Sequence, residues 1–270
     1  MKYLIYLLTA LLLASCGKDS KQNDYECWYC EDDNACWTCE QLTDTVGLNL
    51  YPFAPFPDGW QRDPSISAFA ERQIPENFMA GMTTKELFYQ WAYCEFSSNF
   101  LMHNDVQAGF EYTTKQLNMI SEILKRPDLG KMFLEFLQYT NPSDIPEYDD
   151  NKDCFQFYYF DLSIFACQPE VIHWLTDEEI DQYIFLQRRH LKAFQSINRG
   201  GLYILQSLGS IHFGLGNVMI RYEYEPFTQL IIYPSPASDH GWITQETSSQ
   251  EEAHAIIDEC MDKFIKTRKR

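Results

Sequence analysis

Thr176-Asp-Glu-Glu179-Ile180-Asp-Gln-Tyr183-Ile184-Phe-Leu-Gln-Arg188-Arg189-His-Leu191-Lys192-Ala-Phe194 carries the fold class of this chain in nineteen residues. Thr176 and Glu179 have capping-box spacing, in which each side chain satisfies the other's backbone N–H at a helix start. Ile180, Tyr183, Ile184, Leu191 and Phe194 then recur on one side at helical spacing, the mark of a helix with one buried face. Asp177, Glu178 and Glu179 occupy the first turn and Arg188, Arg189 and Lys192 lie towards the end, the arrangement that the helix macrodipole favours.

Working outwards, the same signals repeat. Thr83 with Glu86 is a second capping box, opening a helix to about Phe96. Asn104 opens another, where Val106, Phe110, Thr113, Leu117, Ile120 and Leu124 form one stripe ending at Arg126. Pro127 stands at an N1-like position for a helix to about Tyr139. Phe155 to Ala166 is apolar nearly throughout, and a helix is preferred there because helices surround it. After the Gly200-Gly201 break, Leu202 to Phe213 reads as a buried helix. Val218 to Glu225 and Thr228 to Tyr233 carry β-type residues and read as a short strand pair. Ser249 with Glu252 caps a last helix that turns Ala253, Ile256, Ile257, Cys260 and Phe264 inward. The expected class is mainly α, an irregular helical bundle or a short helical-repeat array, with a Cys-rich β-hairpin near the N-terminus and a small β pair within 218–233.

The N-terminus addresses compartment. One lysine, an apolar run from Tyr3 to Leu13 and the small-residue exit Ala14-Ser15 make residues 1–15 a secretory signal peptide, too short to span a bilayer. Leu13-Ala14-Ser15-Cys16 resembles a lipobox, so Cys16 is expected to carry diacylglycerol and palmitate chains that replace the removed segment as the membrane hold. Cys16-Gly17-Lys18-Asp19 resembles the export tag of surface-exposed lipoproteins, and a plain polar tether explains the same residues.

Removing Cys16 leaves eight of the nine cysteines, an even number in a chain read as exported. Cys27, Cys30, Cys36 and Cys39 crowd into thirteen residues around a turn-forming Asp32-Asp33-Asn34. Disulfides are the expected state, either as nested Cys27–Cys39 and Cys30–Cys36 bridges in an irregular hairpin or as Cys27–Cys36 with Cys30–Cys39. A zinc knuckle needs a longer spacer between its Cys pairs, and a redox pair needs a strand-to-helix setting. Cys94, Cys154, Cys167 and Cys260 lie in apolar surroundings that suit buried inert thiols as well as bridges.

The layout expected is therefore a signal peptide (1–15), an anchored tether (16–24), a Cys-rich hairpin (25–42), a Pro- and aromatic-rich wrap (43–64) and a helical body (65–270), with a sub-boundary at 141–153. That acidic loop holds Asp149, Asn151 and Asp153 at calcium-loop spacing, but Cys154 stands where glycine is needed and Phe160 where the bidentate glutamate belongs, so no metal is expected.

Charge excludes partners. The 270 residues carry −18, with 45% hydrophobic and 16% aromatic residues, which describes a globular body that repels phosphate backbones. Nucleic acid is not expected as a partner. No nucleophile elbow, Walker loop or dinucleotide fingerprint occurs, and none of the six histidines has metal-protease spacing to another, so no cofactor or catalytic residue is assigned. Asp239-His240 is a solvated loop pair with no nucleophile beside it. Tyr51, Phe53, Phe56 and Trp60 form the candidate ligand platform, able to stack on a surface glycan or anchor a protein partner.

Ile74-Pro75-Glu76, Met82-Thr83-Thr84-Lys85-Glu86-Leu87, Gln107-Ala-Gly109-Phe110 and Glu122-Ile-Leu-Lys-Arg126-Pro-Asp128-Leu-Gly130-Lys131 together resemble a family of uncharacterised helical lipoproteins of the Gram-negative cell envelope. The resemblance covers roughly residues 74–215. It implies a helical body behind a lipobox and an outer-membrane, surface-exposed address, and it brings no activity. The reading that follows is a lipid-anchored, non-enzymatic binding or structural module, with an extracellular glycan- or peptide-processing enzyme as the alternative. In thiol titration of the unfolded, unreduced chain, Cys27, Cys30, Cys36 and Cys39 are expected to be oxidised; stoichiometric zinc with free thiols would overturn the bridged hairpin.

Overall fold

The computed structural model of the chain describes residues 48–51, 69, 72–93, 106–140, 142, 152–196, 202–233, 243–244 and 250–268. The signal peptide, the tether with Cys16, the cysteines at 27, 30, 36 and 39, and Phe53, Phe56, Trp60 and His240 lie outside the described residues. The described part is mainly helical. It runs α1 (Glu76–Met79), α2 (Thr84–Tyr93), α3 (Val106–Gln116), α4 (Asn118–Ile123), α5 (Leu129–Tyr139), α6 (Lys152–Ala166), α7 (Pro169–His173), α8 (Asp177–Ser196), α9 (Leu202–Arg221), α10 (Glu225–Thr228), β1 (Ile231–Tyr233), β2 (Ile243–Thr244) and α11 (Gln250–Arg268).

Both described capping boxes form. The Thr83 N–H donates to Glu86 Oε2 at 2.7 Å while the Glu86 N–H donates to Thr83 Oγ1 at 3.2 Å. Thr176 and Glu179 exchange the same bonds at 2.8 and 3.3 Å. The α8 stripe is buried as its spacing requires, with Ile180, Tyr183, Ile184, Leu191 and Phe194 all inside.

Three sequence expectations are corrected. The stripe from Val106 to Leu124 is two helices, because Leu117 is extended (φ −114°, ψ 116°) between α3 and α4. The break is held from outside: Gln73 Nε2 donates to Gln116 O at 2.7 Å, the Asn118 N–H donates to Gln73 Oε1 at 3.1 Å, and Asn118 Nδ2 donates to Ile74 O at 2.7 Å. A chain segment some forty residues upstream thus supplies the bonds that the helix gives up. Secondly, α5 starts at Leu129 with Asp128 at its cap, so Pro127 precedes the helix; the Asp128 carboxylate accepts from Thr84 Oγ1 at 2.6 Å and ties α5 to α2. Thirdly, Val218–Glu225 is no strand. α9 continues to Arg221, since Val218 and Met219 are completely buried on a helix enclosed by its neighbours, and burial overrides β propensity. Glu223 then takes a left-handed φ of 49° and the Tyr224 N–H donates to Met219 O at 2.9 Å, closing the helix end. Of the strand expected at Thr228–Tyr233 only Ile231–Tyr233 forms, as β1, because Thr228 ends α10; its antiparallel partner is β2.

α9 is the centre of the body, packing against α6, α7, α8, α10 and α11. Beside it, Phe88 of α2, Phe110 of α3, Phe133 of α5 and Phe165 of α6 form an aromatic cluster, with Phe88 to Phe133 at 5.2 Å and Phe110 to Phe165 at 5.1 Å, both edge-on. The closest approach is at Gly214, where an added Cβ would stand 2.2 Å from the Tyr183 hydroxyl and 3.2 Å from Cys167 Cα. That hydroxyl donates to Ala166 O at 2.9 Å, and Asn217 Nδ2 donates to Cys167 O at 2.9 Å, so α8 and α9 together satisfy carbonyls at the end of α6.

Gly214→Ala is expected to cost about 2–3 kcal/mol, an overpacking penalty plus the strained hydroxyl bond. Urea unfolding measures it, and in a Tyr183→Phe background the same substitution should cost clearly less; additive costs would show that the hydroxyl is not what excludes the methyl.

Candidate functional site

Two groups of chemically capable side chains lie wholly or partly inside the body, and neither was visible from spacing. Tyr159 of α6 hydrogen-bonds His190 Nδ1 of α8, with both rings enclosed in the core. Arg189 donates from one terminal nitrogen to Leu137 O at 2.7 Å and Gln138 O at 3.2 Å, and lies 3.3 Å from His190 Nε2. A guanidinium can only donate, so Nε2 carries the lone pair and Nδ1–H donates to the tyrosine oxygen. Burial first, then the Arg189 charge, push His190 down to about 4, while burial pushes Tyr159 well above its ordinary value. Neither ring is exposed, so the pair ties α6 to α8 and does not reach a substrate.

The second group is a stack. His212 of α9 and His254 of α11 are parallel within 4° at 3.8 Å, although 42 residues apart in sequence. His212 Nδ1 lies 2.8 Å from Leu208 O and must carry the hydrogen, since a carbonyl only accepts; Nε2 faces Asp258 Oδ2 at 3.5 Å. Among the described residues no group of three or more His, Cys, Asp and Glu side chains is placed to hold a metal ion. Cys167 and Cys260 are buried free thiols, and burial pushes both upward, away from the thiolate form.

Tyr51 is the one member of the aromatic platform within the described residues. Its ring is half-buried and meets Phe78 edge-on at 5.1 Å, while its backbone exchanges hydrogen bonds with the Gln90 side chain. It packs residues 48–51 onto α2.

An open surface remains between α8 and α11. Arg268 Nε donates to Asp181 at 2.6 Å and Arg188 bonds Asp262 at 2.7 Å, so the helices run antiparallel with an ion pair crossing at each end of a groove of about 570 Å³. Ile184, Ile265 and Phe185, the last 67% exposed, are its apolar lining. Arg188, Arg189, Lys192 and Arg268 outnumber the single acid Asp181 in its lining, on a chain of net charge −18. An apolar centre with a charged rim is the anatomy of a contact face. The residue pattern of α8 could have shown it, because Phe185 falls on the polar side of the stripe.

No family model, no curated protein and no solved structure matches the chain.

His190 is neutral when folded, and its depressed value sets a pH dependence. Above about 6.5 neither state of the chain binds this proton, so the stability is fully present; as pH falls towards 4 the unfolded chain is protonated first and stability is lost, by up to about 3 kcal/mol. Urea midpoints measured between pH 7 and 4 should fall more steeply for the native chain than for His190→Gln; parallel curves would contradict the assignment.

Proposed function

We propose that this chain is a lipid-anchored module of the cell envelope, held in the outer membrane through Cys16 and displayed at the surface, where it binds a partner protein through the α8–α11 face. The observation that carries the binding role is that face: an exposed phenylalanine among cations on an acidic body. Aromatic and arginine side chains supply most binding energy at protein contacts, and Phe185 with Arg188 offers both. The lipobox at Leu13–Cys16, the polar tether behind it and the resemblance to helical envelope lipoproteins support the address. An acidic surface is repelled by anionic headgroups, so the acyl chains hold the body near a membrane without drawing it flat onto one.

Two measurements test the reading. Alkyne-fatty-acid labelling should mark the native chain and lose the mark in Cys16→Ala, and external protease should remove the body from intact cells. A photo-reactive residue at position 185 should give a cross-linked adduct in cells while one at Glu111 on α3 gives none; equal labelling at both sites would remove the binding face.

A further inference from the structure

α8 divides its charges by sequence. The exposed side chains of its first half include Asp177, Glu178 and Asp181, those of its second half include Lys192 with half-buried Arg188 and Arg189, and Phe185 stands between. We infer that the partner of this face is a second copy of the chain, with two α8 helices packed antiparallel about a two-fold axis through Phe185. This rests on the reading of the α8–α11 surface as a binding face.

The argument is charge complementarity in register. With Phe185 on the axis, antiparallel pairing brings Glu178 opposite the second copy's Lys192, Asp181 opposite its Arg189 and Gln182 opposite its Arg188, and the symmetry repeats each pair. An isologous contact requires a patch that complements itself, and the exposed strip centred on Phe185 meets that requirement. A parallel arrangement would set acids against acids and bases against bases. The pairing also aligns the two helix dipoles in opposition. Along the same face, Glu178, Gln182, Phe185 and Lys192 recur three, four and seven residues apart, so they share one exposed strip. Glu178 and Lys192 take part in no ion pair or hydrogen bond among the described residues, so dimerisation gives each a partner without breaking a bond. Asp181 keeps Arg268 and Arg189 keeps the Leu137 and Gln138 carbonyls, so their juxtaposition adds charge attraction without a new hydrogen bond, and the Glu178–Lys192 pairs carry the register.

A contact built from one helix pair is smaller than a standard interface, so association in solution should be weak and concentration-dependent. Two copies tethered to one membrane meet at a far higher effective concentration, which is where such a contact serves.

Sedimentation equilibrium of the full chain across a concentration series tests the inference. The native chain should show a reversible monomer–dimer equilibrium, and Phe185→Glu should sediment as monomer. Glu178→Lys and Lys192→Glu should each weaken self-association by at least about tenfold. Mixing those two single variants should restore dimerisation between them, because each then presents what the other lacks, and the double variant should self-associate like the native chain. All these residues are exposed, and circular dichroism should show each variant folded. A native chain that is monomeric at every concentration, a dimer indifferent to Phe185→Glu, or a mixture that does not recover would overturn the second copy as the partner. A monomer that still gives an adduct of different mass at position 185 in cells overturns this inference and leaves the binding face standing; no adduct and no association removes both.

Discussion

Where α9 crosses α8 there is room for a hydrogen atom and nothing larger. Gly214 lies under the Tyr183 hydroxyl, and that hydroxyl reaches past it to the last carbonyl of α6. Three helices are thereby fixed by one contact: α8 by its tyrosine, α9 by its glycine and α6 by the carbonyl it would otherwise leave unsatisfied in the core. The helices around α9 inherit their positions from this crossing, since α7 follows α6 within three residues and α11 lies along α9.

Three arginines of this acidic chain are placed at the ends of neighbouring helices. Arg126 donates to Met79 O and Met82 O beyond α1, Arg189 to Leu137 O and Gln138 O of α5, and Arg221 to Ile172 O of α7. Each closes the C-terminus of a neighbouring helix, where carbonyls are exposed and the dipole is negative. α1 and α7 are four and five residues long, too short to be stable alone, and they persist because tertiary bonds hold their ends. With these arginines committed to carbonyls, lysines such as Lys115, Lys125 and Lys131 are left among the acids of the exterior, and the α8–α11 groove is where arginines line an open surface, Arg189 serving both roles.

What the sequence made legible was local. The capping boxes at Thr83 and Thr176 and the stripes of α8 and α11 rest on contacts three or four residues apart, and the structure repeats them. What it concealed was set by distant partners. The break at Leu117 depends on Gln73, the helical state of Val218 depends on the neighbours that enclose α9, and the His212–His254 stack depends on two helices meeting. The groove was half legible, because Phe185 on the polar side of α8 was readable while Ile265 and Arg268, which complete it, lie some eighty residues away.

α11 has a consequence for how the chain is made. It covers one side of α9, and its Arg268 reaches back to the Asp181 side chain and the Asp177 carbonyl at the start of α8. Synthesis at about 5–20 residues per second leaves a few seconds between the completion of α9 and that of α11. Through that interval the most enclosed helix of the finished body lacks its cover, so the nascent chain presents its stickiest surface late. A chain cut short between Arg221 and Gln250 lacks that cover altogether, and the bared flank of α9 is an apolar surface of the kind that quality control recognises.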